Sequence, residues 1–234
     1  MVHANIWGKL LGRLNVTFDA KGVPTKWDGD PILIDNKIAD DPTVAALLKK
    51  FAEPLTALQK KVIGKTSVEL DGIRANVRNK ETNLGNLIAD AMVWATQGDK
   101  TQIAVMNGGG IRASIKAGDV TLGDALTVLP FGNRMVQFDL KGSDLQAALE
   151  NGVSQVNLAS LADSGGRFPQ IAGVRFSWDP AKPVGSRVTG VQIGTTATGF
   201  KPLDANATYR VVTNDFMAGG GDGYATFKNG TNRR

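Results

Sequence analysis

The stretch Asn107-Gly108-Gly109-Gly110-Ile111-Arg112 decides how the rest of the chain is read. It follows a short apolar run, Ile103-Ala104-Val105-Met106, which predicts a buried strand ending in a tight, glycine-rich bend. Consecutive glycines carry no side chains and tolerate positive φ, so a ligand can lie against bare backbone there. Asn107 brings an amide to the lip of the bend. Arg112 brings a planar fork of donors suited to phosphate. A strand turn followed by a surface arginine explains the hexapeptide more plainly, and in isolation that reading is favoured. The rest of the chain changes the odds.

Its 234 residues make one large domain or two small ones, with 42% apolar content suited to a sizeable core. No run approaches the ~20 apolar residues of a membrane span. The start has no signal-peptide pattern, which does not settle localisation. Cysteine is absent, which excludes disulfides, thiolate metal sites and a cysteine nucleophile. A single histidine, His3, stands at the N-terminus, so a multi-histidine metal site cannot be built and a Ser-His-Asp set would have to use it. Carboxylates show no EF-hand spacing. The net charge of +5 is dispersed, which does not point to nucleic acid and is compatible with anionic small ligands.

Working outward, residues 1–39 read as extended, with Leu10 to Phe18 as a half-buried strand, Asp19 to Gly22 as a hairpin turn and Pro31-Ile32-Leu33-Ile34 as a second apolar run. They need a partner sheet. Asp41-Pro42 starts a helix that Pro54 should kink or split. Gly64 to Leu70 resembles a strand with Val68 and Leu70 on one face. Thr82 or Asn83 caps a helix with a stripe from Leu84 to Ala95, stopped near Gly98. Val120 to Leu126 opens a short helix. Met135 to Leu140 alternates as a strand, and Ser143-Asp144-Leu145-Gln146 fits a capping box. Val174 to Trp178, Val191 with Ile193, and Tyr209 to Val212 predict further strands. The fold class is α/β (α+β, mixed sheets with helices on the outer faces).

Four places carry chemistry: Arg74 with Arg78, the Asn107–Arg112 bend, Phe131-Gly132-Asn133, and Phe216 to Tyr224. The first two offer guanidinium and backbone N–H groups to phosphate. The last two set a phenylalanine beside glycines, which give a ring little to pack on. Two such rings can sandwich a base, and Asp222 can accept from ribose hydroxyls. Each part has a plainer reading: core phenylalanines, a flexible Gly219-Gly220-Gly221 turn, a turn-capping Asp222, solvated arginines.

Together these motifs resemble the C-terminal domain of the 5′-nucleotidase family, which includes UDP-sugar hydrolases and cyclic-nucleotide phosphodiesterases. The carrying residues are Arg78, Glu81-Thr82-Asn83-Leu84-Gly85-Asn86-Leu87-Ile88-Ala89-Asp90-Ala91, Asn107 to Arg112, Leu129-Pro130-Phe131-Gly132-Asn133 and Asn214 to Tyr224. The resemblance implies that Phe131 and Phe216 clamp a base and Asp222 holds ribose. It implies that Arg78 and Arg112 contact phosphate, with Arg74 a further basic position. Asn107 is implied as a ligand contact, and Gly109 as a place where backbone nears the nucleotide. Family members also carry a metallophosphatase domain with two divalent metal ions, whose ligands are missing here; no cofactor is expected in this chain itself.

The resemblance therefore divides the chain into remnant strands of that domain (1–39, with Trp7 to Leu14 as marker and His3 as a strand residue), a linker helix (40–63) and the substrate-binding domain (64–234). It implies a fragment whose partners are a nucleotide or nucleotide sugar and the missing metallophosphatase domain, in a periplasmic or extracellular setting. Nucleic acid and a membrane span are not expected. A free-standing nucleotide sensor and a vestigial interaction module are the alternatives.

Overall fold

The computed structural model describes Ala4 and residues 8–234. His3 and Trp7 lie outside the described residues. The chain divides into two compact units, Met1–Thr56 and Ala57–Arg234.

The first unit holds β1 (Leu10–Leu11), β2 (Asn15–Phe18), β3 (Pro24–Asp28), β4 (Ile32–Leu33) and most of α1 (Pro42–Gln59). β2 and β3 form an antiparallel hairpin, and β1 pairs with β4. The Asp19 carboxylate accepts from the Lys21 and Val23 amides at 2.8 and 2.9 Å, fixing the hairpin turn. Asp41 caps α1 by accepting from the Thr43 and Val44 amides at 2.9 and 3.0 Å. The helix is not split at Pro54. Proline deletes one N–H donor, and the bonds on either side hold the helix together. Nor is β2 half-buried: all four of its residues are exposed, because an isolated two-stranded ribbon has no second layer to pack on.

The second unit runs on through β5 (Val62–Thr66), α2 (Arg74–Val77), α3 (Asn83–Ala95), β6 (Ile103–Asn107), β7 (Gly118–Thr121), α4 (Leu122–Val128), β8 (Met135–Lys141) and α5 (Gly142–Val153). It continues with β9 (Pro169–Ala172), β10 (Val174–Trp178), β11 (Val188–Thr195), β12 (Gly199–Pro202), β13 (Thr208–Asn214) and α6 (Asp215–Ala218). Its central sheet has the order β8-β13-β6-β9, with β13 parallel to β6 and the other pairs antiparallel. β10-β11-β12 make a second antiparallel sheet, and β5 pairs with β7.

β6 explains why its sequence is apolar without alternation. All five residues are buried, because both faces of the sheet are covered. Ala104 and Met106 pack with Ala89 and Met92 of α3, while Ile103 and Val105 pack with Leu145, Leu149 and Val153 of α5. Burying each large aliphatic chain contributes roughly 1.5–3 kcal/mol before entropy is counted. The architecture is thus mixed α/β with helices on the outer faces.

Several local expectations are corrected. β5 stops at Thr66, whose hydroxyl donates to the Val68 carbonyl at 2.8 Å and turns the chain. Val68 is exposed, while Leu70 is buried in a lone bridge to Ile115. α3 ends at Ala95, ahead of Gly98, and Lys100 takes the left-handed position at φ 58°. α5 has no capping box: its Gly142 and Ser143 amides donate to the Ala207 and Ala205 carbonyls at 2.9 Å, so a neighbouring loop satisfies them. A capping box sits instead on α4, where Thr121 Oγ1 accepts from the Asp124 amide at 3.1 Å and Asp124 accepts from the Thr121 amide at 2.8 Å.

Candidate functional site

The glycine bend closes β6 as a single 3-10 turn, Gly108–Gly110. None of its glycines adopts positive φ. Glycine is needed for a different reason, which is close approach of other loops. A Cβ on Gly108 would lie 1.9 Å from the Val77 carbonyl oxygen, and one on Gly109 would lie 2.9 Å from the Gly166 Cα. The bend is also not a row of free donors. The Gly108, Gly109, Ile111 and Arg112 amides donate to the carbonyls of Phe168, Gly166, Gly108 and Val128, at 2.8, 2.7, 3.2 and 2.9 Å. The expectation that these backbone N–H groups face phosphate is therefore corrected.

Arg78 follows the short helix α2, and the turn that carries it is pinned from β9. Gln170, fully buried, accepts from the Thr82 amide at 3.1 Å and donates to the Val77 and Lys80 carbonyls at 3.0 and 2.8 Å. Thr82 then caps α3 by accepting from the Gly85 amide at 3.1 Å. Arg78 itself is 8% exposed and donates to the Ser164 carbonyl at 3.3 Å. Burial first, then the charges of Arg74 and Arg112, push its guanidinium below the ordinary arginine value, with Asp222 opposing. The charges of Arg74 and Arg112 thus both act on the Arg78 guanidinium.

Phe131 stands on the loop between α4 and β8 and is 59% exposed. The Arg112 guanidinium lies over its ring, 5.6 Å from the centroid, and also donates to the Gly109 carbonyl at 3.3 Å. Phe216 stands on α6 and is 49% exposed. The core reading of these two rings is excluded by their exposure. A Cβ on Gly221 would come within 2.6 Å of the Phe216 ring, so the turn after α6 leaves room for it. Asp222 occupies the left-handed region at φ 52°. Its backbone carbonyl accepts from Asn151 Nδ2 at 3.1 Å, and its carboxylate from Asn107 Nδ2 at 2.6 Å.

Arg78, Asn107, Gly109, Phe131, Phe216 and Asp222 line one cavity of about 450 Å³. Arg112 is not in its lining and reaches it through Phe131. Arg74 is also outside the lining, within electrostatic reach of Arg78. Gly110, Asn133 and Gly166 line the cavity as well. Gly110 and Asn133 lay inside motifs already singled out. Gly166 sits in the polar loop after α5, and only its contact with Gly109 reveals it. The size suits a small ligand, and the lining combines two rings, an acid and a cation. Among the described residues, no group of three or more His, Cys, Asp or Glu could hold a metal ion. Among the same residues, no helix is long and apolar enough to cross a membrane.

Residues 62–229 match the family described as 5′-nucleotidase, C-terminal domain. The trifunctional nucleotide phosphoesterase protein YfkN of Bacillus subtilis (strain 168) is 41% identical over 97% of this chain and 15% of its own length. A 5′-nucleotidase of Diplobatis ommata is 36% identical over 98% of this chain and 41% of its own. The crystal structure of a 5′-nucleotidase precursor from Thermus thermophilus superposes with a TM-score of 0.75 and 48% identity, over 97% of this chain and 44% of that one. The chain thus spans less than half the length of these relatives. On the match over residues 62–229, the chain belongs to the 5′-nucleotidase C-terminal domain family.

Proposed function

We propose that this chain is the nucleotide-recognition part of a 5′-nucleotidase-like phosphoesterase, gripping a nucleoside 5′-phosphate or a nucleotide sugar. The observation that carries the reading is the shared cavity of Phe131, Phe216, Asp222, Asn107, Gly109 and Arg78. In this reading a base lies between the two exposed rings, and the ribose hydroxyls reach Asp222. Phosphate lies toward Arg78, Arg112 and Arg74, where an anion compensates the burial of Arg78 and the neighbouring positive charges. Asn107 keeps one amide hydrogen beyond its bond to Asp222, and Gly109 lets a ligand close in on backbone.

The chemical step belongs to a metallophosphatase domain with two divalent metal ions, whose donor set would come from outside this chain. The residues described here supply orientation, which is worth much of a barrier when reacting groups are held in register. The setting in this reading is periplasmic or extracellular, and snake venom 5′-nucleotidases are among the relatives. Sugar attached beyond the phosphates would extend away from the base clamp, so UDP-sugar substrates fit the same grip.

Calorimetry of the chain with AMP, with UDP-glucose as a second arm, tests the reading. Binding is expected in the parent, and Phe131→Ala or Phe216→Ala should each weaken AMP binding by about 1–3 kcal/mol. Asp222→Ala should weaken it too. With AMP and divalent metal the chain should release no phosphate. A parent that binds neither nucleotide would support the vestigial module instead, and metal-dependent turnover would overturn the division of labour.

A further inference from the structure

Asn214 does not line the cavity, yet it is bonded to the elements that form two of its walls. It ends β13, is 4% exposed, and caps α6: its Oδ1 accepts from the Met217 amide at 2.8 Å. That helix carries Phe216. A backbone N–H can only donate, so this bond fixes which way the Asn214 amide faces. Its Nδ2 is thereby turned to Asn107, donating to Oδ1 at 3.0 Å, and to the Met106 sulfur at 3.2 Å. Asn107 in turn has its oxygen occupied, so its Nδ2 faces Asp222 and donates to the carboxylate at 2.6 Å. The Met217 amide at one end, which only donates, and the Asp222 carboxylate at the other, which only accepts, set the sense of every bond in the row.

We propose that Asn214 is a positioning residue, which orients the Asp222 carboxylate through Asn107 and so sets the site's preference for nucleosides that carry ribose hydroxyls. The ribose part rests on the reading of the cavity as a nucleotide site. The relay itself does not. Asn214→Asp keeps an oxygen for the Met217 amide, and Asp is a good cap, but it sets a second acceptor against Asn107 Oδ1. Asn107 is then held between two carboxylates, and the repulsion at its Oδ1 pulls against its bond to Asp222. Asn214→Ser also keeps a capping oxygen and is too short to reach Asn107.

The test compares AMP with 2′,3′-dideoxyadenosine 5′-monophosphate in the full chain and both variants. It is paired with side-chain amide hydrogen exchange of Asn107 measured by NMR without ligand. In both variants the preference for AMP should fall about tenfold, a change of roughly 1.4 kcal/mol. Dideoxynucleotide affinity should stay within about twofold, because Phe216 keeps its helix, and the Asn107 amide should lose protection. An unchanged preference in either folded variant overturns the proposal. Equal loss of both nucleotides also overturns it, since Asn214 would then serve only the fold. If the parent binds neither nucleotide, the functional reading fails while the amide still judges the relay: unaltered Asn107 protection in the variants overturns it. A parent Asn107 amide exchanging as fast as an exposed asparagine overturns it without any variant.

Discussion

At the scale of residues, the glycines around the cavity act by distance. A methyl group on Gly108 would meet the Val77 carbonyl at 1.9 Å, and neither piece of backbone has anywhere to go. Gly108→Ala should therefore destabilise the fold by about 1–3 kcal/mol or more, read from urea denaturation midpoints. A methyl on Gly221 meets first the far end of the Phe216 ring, which can swing aside. Gly221→Ala should thus leave the melting temperature nearly unchanged while weakening AMP binding, and an unchanged affinity would show that ring placement does not matter. The sequence already singled out the glycine run, Phe131, Phe216 and Asp222. It attributed the run to positive φ and free amides, because the approach of Val77 and Gly166 depends on loops dozens of residues away. Asn214 opens a motif the sequence singled out, but its bond to Asn107, 107 positions distant, was hidden for the same reason.

At the scale of elements, β8 would be an open edge of the central sheet without the C-terminal tail. Thr231 exchanges backbone bonds with Asp139 at 2.8 and 3.0 Å, and Arg234 with Gln137 at 3.0 Å. The tail therefore covers a strand that could otherwise pair with another chain. Asp139 also anchors it by side chain, accepting from Asn232 at 2.6 Å and from Arg210 at 3.0 Å. The Asn232 bond first, and the bond and charge of Arg210 with it, hold the carboxyl below its usual range against the opposing effect of burial. A depressed folded value means the stabilisation is complete above the unfolded pKa of about 3.9 and is lost as pH falls through the folded one. Acidification below about pH 4 should thus loosen the tail, raising hydrogen exchange at β8, and Asp139→Asn should flatten that dependence. Elements with strong local signals, such as α3 and β13, were legible in sequence. β9 opens on Pro169, which suits a first strand position but reads as a breaker, and β12 is four residues beginning at a left-handed glycine. Tertiary pairing makes both.

At the scale of the whole molecule, apolar burial is unevenly distributed. The buried residues of all three hydrophobic clusters fall between Leu70 and Phe227. The first unit has no buried residue among those described, and α1 leaves Leu47, Leu48, Phe51 and Leu55 exposed along with Trp27 of β3. Leu47, Leu48, Phe51 and Leu55 recur in the sequence at helical spacing, and such periodicity implies a face seeking a partner. It cannot say that the partner lies outside the described contacts, because periodicity reports which side is apolar and not what stands opposite. Two consequences follow for stability and association. A chain beginning at Ala57 keeps every cluster, so its calorimetric unfolding should fall within a few degrees of the full chain; loss of the transition would mean the first unit contributes to the core. Exposed apolar side chains of this number favour association, so the full chain should self-associate with rising concentration in sedimentation equilibrium, and the shortened chain should do so less. Equal association of the two would locate the sticky surface in the second unit, where Trp94, its most exposed large apolar residue, is the one to replace next.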